Sequence, residues 1–151
     1  MTNQELKHST LVFERICAAP VERVFAAFAN PEERASWGTP SETAAFIYDK
    51  VAFREGGVDV FRCGDKSNPQ YRGVTTYYDI VPNKRIVSSE VVETQGRKLL
   101  ISMSTTTFEP ESSGTNIVVT VELTSLAGED MLNGAKFGHN ASLDNLVKAM
   151  Q

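Results

Sequence analysis

The sequence predicts an α+β fold in which a curved antiparallel sheet of about seven strands wraps around one long C-terminal helix. Three observations predict it. Residues 9–18 are rich in β-branched and aromatic side chains, which favour a strand. Segments between residues 45 and 124 alternate apolar and polar positions between short turns, as strands of a meander do. Residues 129–150 place apolar side chains every three or four positions instead, which is typical of a helix.

Two short helices are predicted between the first strand and the meander. Pro20 suits the first turn of a helix, and the apolar residues within 20–29 have helical spacing. Asn30 is a good N-cap for a second helix, because Glu33 follows it at the capping-box distance. We expect this second helix to reach Trp37-Gly38.

The strands of the meander are delimited by their turn residues. Gly56-Gly57 favours a tight turn, and Pro82-Asn83, Gln95-Gly96 and residues 64–69 and 111–114 have turn composition. Between these turns the six predicted strands are residues 45–54, 58–63, 71–81, 85–93, 98–108 and 116–124.

The C-terminal helix is long enough to cross the whole sheet, since about 22 residues span roughly 33 Å. Gly134 and Gly138 interrupt it, each at a cost of ~1 kcal/mol relative to alanine. A helix tolerates such residues where another group approaches closely or where open space lies beside it. A helix about 10 Å wide leaves part of a strongly curved sheet uncovered, so the remainder is either filled by side chains or left as a ligand cavity.

Composition limits the classes of function. The 151 residues suit a single domain over 1–151 with an ordered core of about 9–150. The net charge of −4 argues against nucleic-acid binding, and no apolar run is long enough to span a membrane. The polar first ten residues lack the pattern of a signal peptide, which predicts a cytoplasmic location with Cys17 and Cys63 reduced. With only two histidines, the sequence predicts no metal site and no cofactor.

Candidate ligand-binding residues are those whose alternation or helical spacing points them into the concavity. Tyr77 and Tyr78 are adjacent, so only one can face inward, and Tyr78 is chosen because it shares a face with Val74 and Ile80. Hydroxyls at Ser104 and Thr106 would orient a polar group of a ligand, unless that face of the strand is turned to water. The candidates chosen on this basis are Phe46, Phe53, Phe61, Tyr78, Ser104, Thr106, Met131, Ala135 and His139.

His139 and Glu90 are the candidates for proton transfer. His139 is predicted to face inward, and an ordinary histidine pKa near 6.5 suits acid–base chemistry. The alternative is a histidine that only satisfies a neighbouring polar group. Glu90 shares a face with Ile86, so a buried carboxylate there needs a partner, and we hypothesise that it pairs with His139. No nucleophile elbow, P-loop or dinucleotide motif is present, which makes an enzyme the less favoured interpretation.

Five segments together resemble one family: residues 13–40, 53–57, 71–87, 107–115 and 138–146. They are similar to the homologues of the activator of the heat shock protein 90 ATPase, within the START and birch-pollen-allergen superfamily. The resemblance implies a helix-grip fold, and its members include chaperone activators, lipid or steroid binders and aromatic cyclases. It also implies that Trp37, just after the second short helix, lies at the mouth of the cavity, which makes Trp37 a further candidate ligand-binding residue; the alternative is that it only caps the core. The pair Gly138-His139 departs from the Gly-Trp common in the final helix of this family.

Three functions remain open from the sequence. The first is binding of a small hydrophobic or aromatic molecule between the C-terminal helix and the sheet. The second is a cyclase or hydrolase that uses the same cavity with His139 or Glu90 as proton carrier. The third, implied by the resemblance, is a chaperone ATPase activator-like interaction through an exposed face. A homodimer is left open as well.

Overall fold

The structure, a computed structural model, describes residues 6–151. Residues 1–5 lie outside the described residues. They belong to the predicted single domain, and they form part of the polar segment on which the prediction of a cytoplasmic location rests. The elements are β1 (Lys7–Cys17), α1 (Val21–Ala29), α2 (Pro31–Gly38), β2 (Ala44–Lys50), β3 (Val58–Asp65), β4 (Asn68–Val81), β5 (Arg85–Thr94), β6 (Arg97–Glu111), β7 (Gly114–Ser125) and α3 (Glu129–Ala149).

All seven strands form one antiparallel sheet in the order β1-β7-β6-β5-β4-β3-β2. The predicted α+β class and the meander from β2 to β7 are therefore confirmed. β1 closes the other edge by pairing with β7 from Lys7↔Ser125 to Cys17↔Thr115. Alternation of buried and exposed residues gives the sheet one inner face toward the helices and one outer face toward solvent.

The start of α2 follows from its cap. The Asn30 side chain accepts hydrogen bonds from the backbone N–H groups of Glu32 and Glu33, at 2.9 and 3.1 Å. These bonds satisfy two of the N–H groups that a helix start leaves unpaired. The predicted N-cap is confirmed, and α2 ends at Gly38 as expected.

β2 ends at Lys50, four residues earlier than the predicted strand 45–54. A bulge between Tyr48 and Lys50 ends the regular pairing. The loop that follows bonds to β4 instead: Gly56 donates to the Tyr77 carbonyl at 2.8 Å, and Tyr77 donates to the Gly57 carbonyl at 3.0 Å. A Cβ at Gly57 would lie 2.0 Å from the Ala52 oxygen, so this loop requires glycine there. The loop packs Phe53 against the core.

A second bulge makes the prediction for Tyr78 wrong. β4 pairs regularly with β5 up to Tyr77, and the register shifts between Tyr77 and Asp79. Thr75 and Tyr77 therefore face inward. Ile80 also packs against the core, although it follows Tyr77 by three residues and regular alternation would place it on the opposite face. Tyr77 is 4% exposed, whereas Tyr78 is 53% exposed and its hydroxyl bonds to Ser89 on the outer face.

The core lies at one side of the concave face. α3 packs mainly against β1, β7 and α2. It buries Leu132, Leu143 and Leu146, and Met150 follows at its C-cap. Cys17 is buried in this core and Cys63 lies on β3, and both are free thiols, as expected. Because α3 lies toward β1, the inner face of β2–β5 is left largely uncovered by this helix.

Gly73 on β4 should be essential for the position of Phe61 on β3. A Cβ at Gly73 would lie 2.0 Å from the Phe61 ring, which is 2% exposed and stacked on Phe46, so the ring or the strand would have to shift. We expect Gly73→Ala to destabilise the protein by about 1–3 kcal/mol through overpacking. Urea denaturation measures this. Gly134→Ala, with open space around its added methyl, should instead stabilise by up to ~1 kcal/mol. An unchanged midpoint for Gly73→Ala would contradict the close packing.

Candidate functional site

A cavity of about 490 Å³ lies between the inner face of the sheet and the helices α2 and α3. It occupies the region that α3 leaves uncovered. Its walls come from every strand except β1, and from both α2 and α3. The lining residues are mostly apolar, with a group of polar side chains on the central strands.

The structure brings most of the predicted site residues to this cavity. Those that line it are Trp37, Phe46, Phe53, Phe61, Glu90, Ser104, Thr106, Ala135 and His139. Tyr78 is on the outer face, for the reason given above, and Tyr77 lines the cavity in its place. Met131 packs against the core, and the cavity begins one helical turn later, at Ala135.

Aromatic rings form two walls of the cavity. Phe46 on the edge strand β2 stacks on Phe61 of β3, with ring centroids 4.6 Å apart and planes 15° from parallel. Trp37 at the end of α2 packs against Phe28 at 4.8 Å, and its indole N–H donates to the Ala27 carbonyl at 2.9 Å. Each ring is held by a neighbour or a hydrogen bond, so these walls are in place without a ligand.

A buried ion pair at one end of the cavity was missed from the sequence. Arg34 of α2 binds Asp59 of β3 at 2.7 Å, and Asp59 is only 1% exposed. Tyr77 donates to the same carboxylate at 2.6 Å, and the backbone N–H of Ala52 donates to its other oxygen at 2.8 Å. The remaining Arg34 donors bind the hydroxyls of Tyr48 and Tyr77 and the carbonyl of Phe28. Four hydrogen bonds from the guanidinium and three to the Asp59 carboxylate thereby surround the pair with partners, which a buried ion pair requires to be stable.

The network sets the ionisation of Arg34 and of the two tyrosines. Burial opposes the charge of Arg34, but Tyr77, Tyr48 and Asp59 together raise its pKa above the ordinary value. Burial raises the pKa of Tyr48 to about 12, and it raises that of Tyr77 still further. At neutral pH Arg34 is therefore a cation, and both phenols are neutral.

One signal in the sequence pointed to this pair. Asp59 stands between Val58 and Val60 and two residues before Phe61, so strand alternation places it on the inner face beside an apolar ring. A carboxylate in that position needs a cation. Alternation identifies the need, but not that Arg34, 25 positions away on a helix, meets it.

Polar side chains form a row across the floor of the cavity. Thr75, Glu90 and Ser102 are direct partners across β4, β5 and β6, and Ser88 is the partner of Ser104 in the next row. Among residues 6–151, no hydrogen bond reaches the side-chain oxygens of these five residues. Because they line the cavity, their oxygens are available to a bound molecule.

Glu90 is the ionisable member of this row. Its inward orientation confirms the inference from Ile86, which is buried on the same face. Burial raises the pKa of Glu90 to about 7, and Arg34 partly opposes this rise. Glu90 is thus able to exchange a proton near neutral pH.

His139 and Glu90 do not pair, so the hypothesis of a His139–Glu90 couple is wrong. His139 stacks on Phe13 of β1, with centroids 5.6 Å apart, and burial lowers its pKa so that the ring is neutral. No hydrogen bond or ion pair joins the two side chains within the described chain. The sheet order explains this, because β5 lies three strand spacings, or roughly 14 Å, from β1.

The topology and the cavity define the class of protein. A long C-terminal helix is gripped by a curved antiparallel sheet, with two short helices after the first strand. This is the helix-grip fold that the resemblance implies, and the prediction is confirmed.

The family follows from comparison of the sequence. A family model described as Activator of Hsp90 ATPase homolog 1-like protein matches residues 18–151. The chain belongs to this family. No functionally curated protein matches the sequence.

Solved structures of bacterial proteins share the fold over nearly the whole chain. A protein from Rhizobium leguminosarum has 33% sequence identity and a TM-score of 0.79, covering 94% of this chain and 93% of its own. A protein from Rhizobium loti has 29% identity and a TM-score of 0.82, covering 95% and 97%. One from Chromobacterium violaceum, at 24% identity and a TM-score of 0.77 over 94% and 97%, shows the fold alone.

Two further observations concern residues 6–151. None of their His, Cys, Asp and Glu side chains form a group of three or more that could hold a metal ion. No helix in this part of the chain has the length and hydropathy needed to cross a membrane.

The Arg34–Asp59 network should contribute strongly to stability. We expect Asp59→Ala to cost about 3–5 kcal/mol, because it leaves a buried guanidinium without its anion. Asp49→Ala is the matched control: Asp49 pairs with Arg62 between neighbouring strands, but both side chains are more than 40% exposed. Loss of that exposed pair should leave the urea midpoint close to that of the wild type, because solvent screens the two charges. Equal urea midpoints for the two variants would contradict the role of burial.

Glu90 should make stability depend on pH. An unfolded glutamate loses its proton near 4.5, whereas Glu90 in the folded protein loses it at about 7. Between these values the folded state holds the extra proton, so stability falls as pH rises and levels off above about 7. Relative to the wild type, Glu90→Gln should be equally stable near pH 4 and more stable at pH 8, by on the order of 2–3 kcal/mol.

Urea denaturation of both proteins across this pH range measures the difference. Glu122→Gln, an exposed change on β7, is the control and should follow the wild type. If the wild type and Glu90→Gln gave parallel curves, the raised pKa of Glu90 would be refuted.

Proposed function

We propose that this protein binds a small hydrophobic or aromatic molecule in the cavity between α3 and the sheet. The observation that carries the proposal is the cavity itself, about 490 Å³ in volume and lined mostly by apolar side chains. Ligand sites typically have about 300–1,000 Å³ and just such a lining with a few polar groups.

The aromatic walls support an apolar or aromatic skeleton in the ligand. Phe46, Phe61 and Trp37 present ring surface to the cavity, and their own contacts hold them in position. Rings that are already ordered lose little conformational entropy on binding, which favours affinity. The Arg34–Asp59 network ties α2 to β3 beside these rings and so supports a preformed site.

The polar floor supports recognition of one part of the ligand. Hydroxyls of Ser104 and Thr106 face the same space as the rings, as the sequence predicts for an oriented ligand. A ligand with a polar end and an apolar body would match both surfaces. His139, neutral and stacked on Phe13, is a further contact at the α3 side.

An enzyme of cyclase or hydrolase type is the second candidate. The observation that favours it is the pKa of Glu90, about 7, which suits a general acid or base at neutral pH. Substrate turnover that is lost in Glu90→Gln would support this alternative over binding alone. A chaperone as partner rests on the name of the family only, and co-purification with a chaperone ATPase would favour it. A cytoplasmic location fits all three proposals.

A thermal-shift screen with aromatic and lipid-like compounds tests the binding proposal. A ligand at a hundred times its Kd stabilises the protein by ~2.7 kcal/mol, which raises the Tm by several degrees. We expect Gly138→Leu to abolish the shift, because Gly138 lines the cavity and its added side chain would enter it.

Gly134→Leu is the matched control. Gly134 is one turn earlier on α3 and is exposed, with open space around it, so the same exchange should leave the shift unchanged. Both variants remove a helical glycine, so their intrinsic stabilities should change alike. A ligand that still shifts Gly138→Leu binds elsewhere, and the absence of any stabilising compound would contradict the proposal.

A further inference from the structure

Glu90 is the cavity-lining carboxyl whose partner the described chain does not provide. Within residues 6–151, neither a hydrogen bond nor an ion pair reaches it. It is enclosed by protein, and the surface it still exposes lies in the cavity. An enclosed carboxyl without a partner is unfavourable, so a group that binds there gains from completing its interactions.

The neighbours of Glu90 on the sheet are hydrogen-bonding groups without partners. Thr75 and Ser102 lie directly opposite Glu90 on β4 and β6, and cross-strand partners have Cβ atoms about 4.5–5.5 Å apart. Ser88 and Ser104 form the adjacent pair. Hydroxyl oxygens accept hydrogen bonds as well as donate them. A ligand with several N–H donors would therefore meet a carboxyl flanked by acceptors.

The charges around this site compensate Glu90 only in part, through Arg34. The charged and titratable groups that face the cavity or lie behind its wall are Arg34, Asp59, Tyr48, Cys63, Tyr77 and His139. Arg34 is ion-paired with Asp59, and its guanidinium forms four hydrogen bonds, to Asp59, Tyr48, Tyr77 and the Phe28 carbonyl. Burial raises the pKa values of Tyr48 and of the Cys63 thiol, and lowers that of His139, so all three are neutral at pH 8.

We propose that the ligand of this cavity carries a protonated amine on an aromatic or apolar skeleton, and that Glu90 binds the amine. This rests on the proposed function and specifies its ligand class. The amine forms a charge-assisted pair with the carboxylate, and the hydroxyls of Thr75 and Ser102 accept its remaining N–H groups. The skeleton lies against the rings of Phe46 and Phe61.

The same charges disfavour an anionic ligand. A carboxylate in the cavity would face Glu90, and the guanidinium of Arg34 is already ion-paired with Asp59 and forms three further hydrogen bonds. A neutral alcohol binds the row only through ordinary hydrogen bonds, which contribute less than bonds to a charged group.

Three probes with one naphthyl skeleton test the proposal: naphthylethylamine, naphthylethanol and naphthylacetate. Titration calorimetry of the full chain at pH 8 should give an amine affinity about tenfold or more above that of the alcohol, and the weakest binding for the carboxylate. Between pH 7 and pH 5 the amine affinity should fall by up to about tenfold per pH unit, because Glu90 must give up its proton to form the pair. The affinity of the alcohol should change little.

Glu90→Gln should remove the preference for the amine and its pH dependence while keeping the alcohol affinity within about twofold, since the shape of the cavity is retained. Glu122→Gln should behave as the wild type. Equal affinities for amine and alcohol, or an amine preference that survives in Glu90→Gln, would overturn the inference while the binding function stands. If none of the three probes binds, the proposed function and this inference both fail.

Discussion

The structure depends on a mismatch in width between one helix and one sheet. Seven strands at ~4.8 Å spacing span roughly 29 Å, whereas a helix is about 10 Å wide. α3 lies toward β1 and β7, where it buries Leu143 and Leu146, and it leaves β2–β5 uncovered. The residues on those strands must then either collapse into the space or be held apart from it.

The Arg34–Asp59 network holds them apart. It joins α2, the loop before β3, β3 and β4 through one guanidinium and one carboxylate. A purely apolar cluster has no directional bonds, and its side chains would be free to fill the space. Here the directions of the hydrogen bonds fix α2 against the sheet, and the rings of Phe46 and Phe61 stack beside it. Electrostatics thus maintains a cavity whose surface is mainly apolar.

Much of this arrangement was predictable from local patterns. Alternation identified the strands and the inward face of Glu90, and Asn30 identified the start of α2. The predictions that were wrong concerned features that the local sequence pattern does not determine. The bulge after Tyr77 reverses the inward and outward positions of β4, and no glycine or proline marks it in the sequence. The position of α3 near β1, which separates His139 from Glu90, is a result of packing. Arg34 was missed because its partner is on another element.

Gly138 suggests how proteins of this fold can come to bind different ligands. It lies on a face of α3 that turns toward the cavity, and a Cβ added there would have no neighbouring atom within 4 Å. A larger side chain can therefore replace this glycine without changing any backbone hydrogen bond of the sheet. The residue at this one helical position can therefore change which ligands fit the cavity. Proteins descended from a common ancestor could then differ in ligand specificity while keeping the same fold.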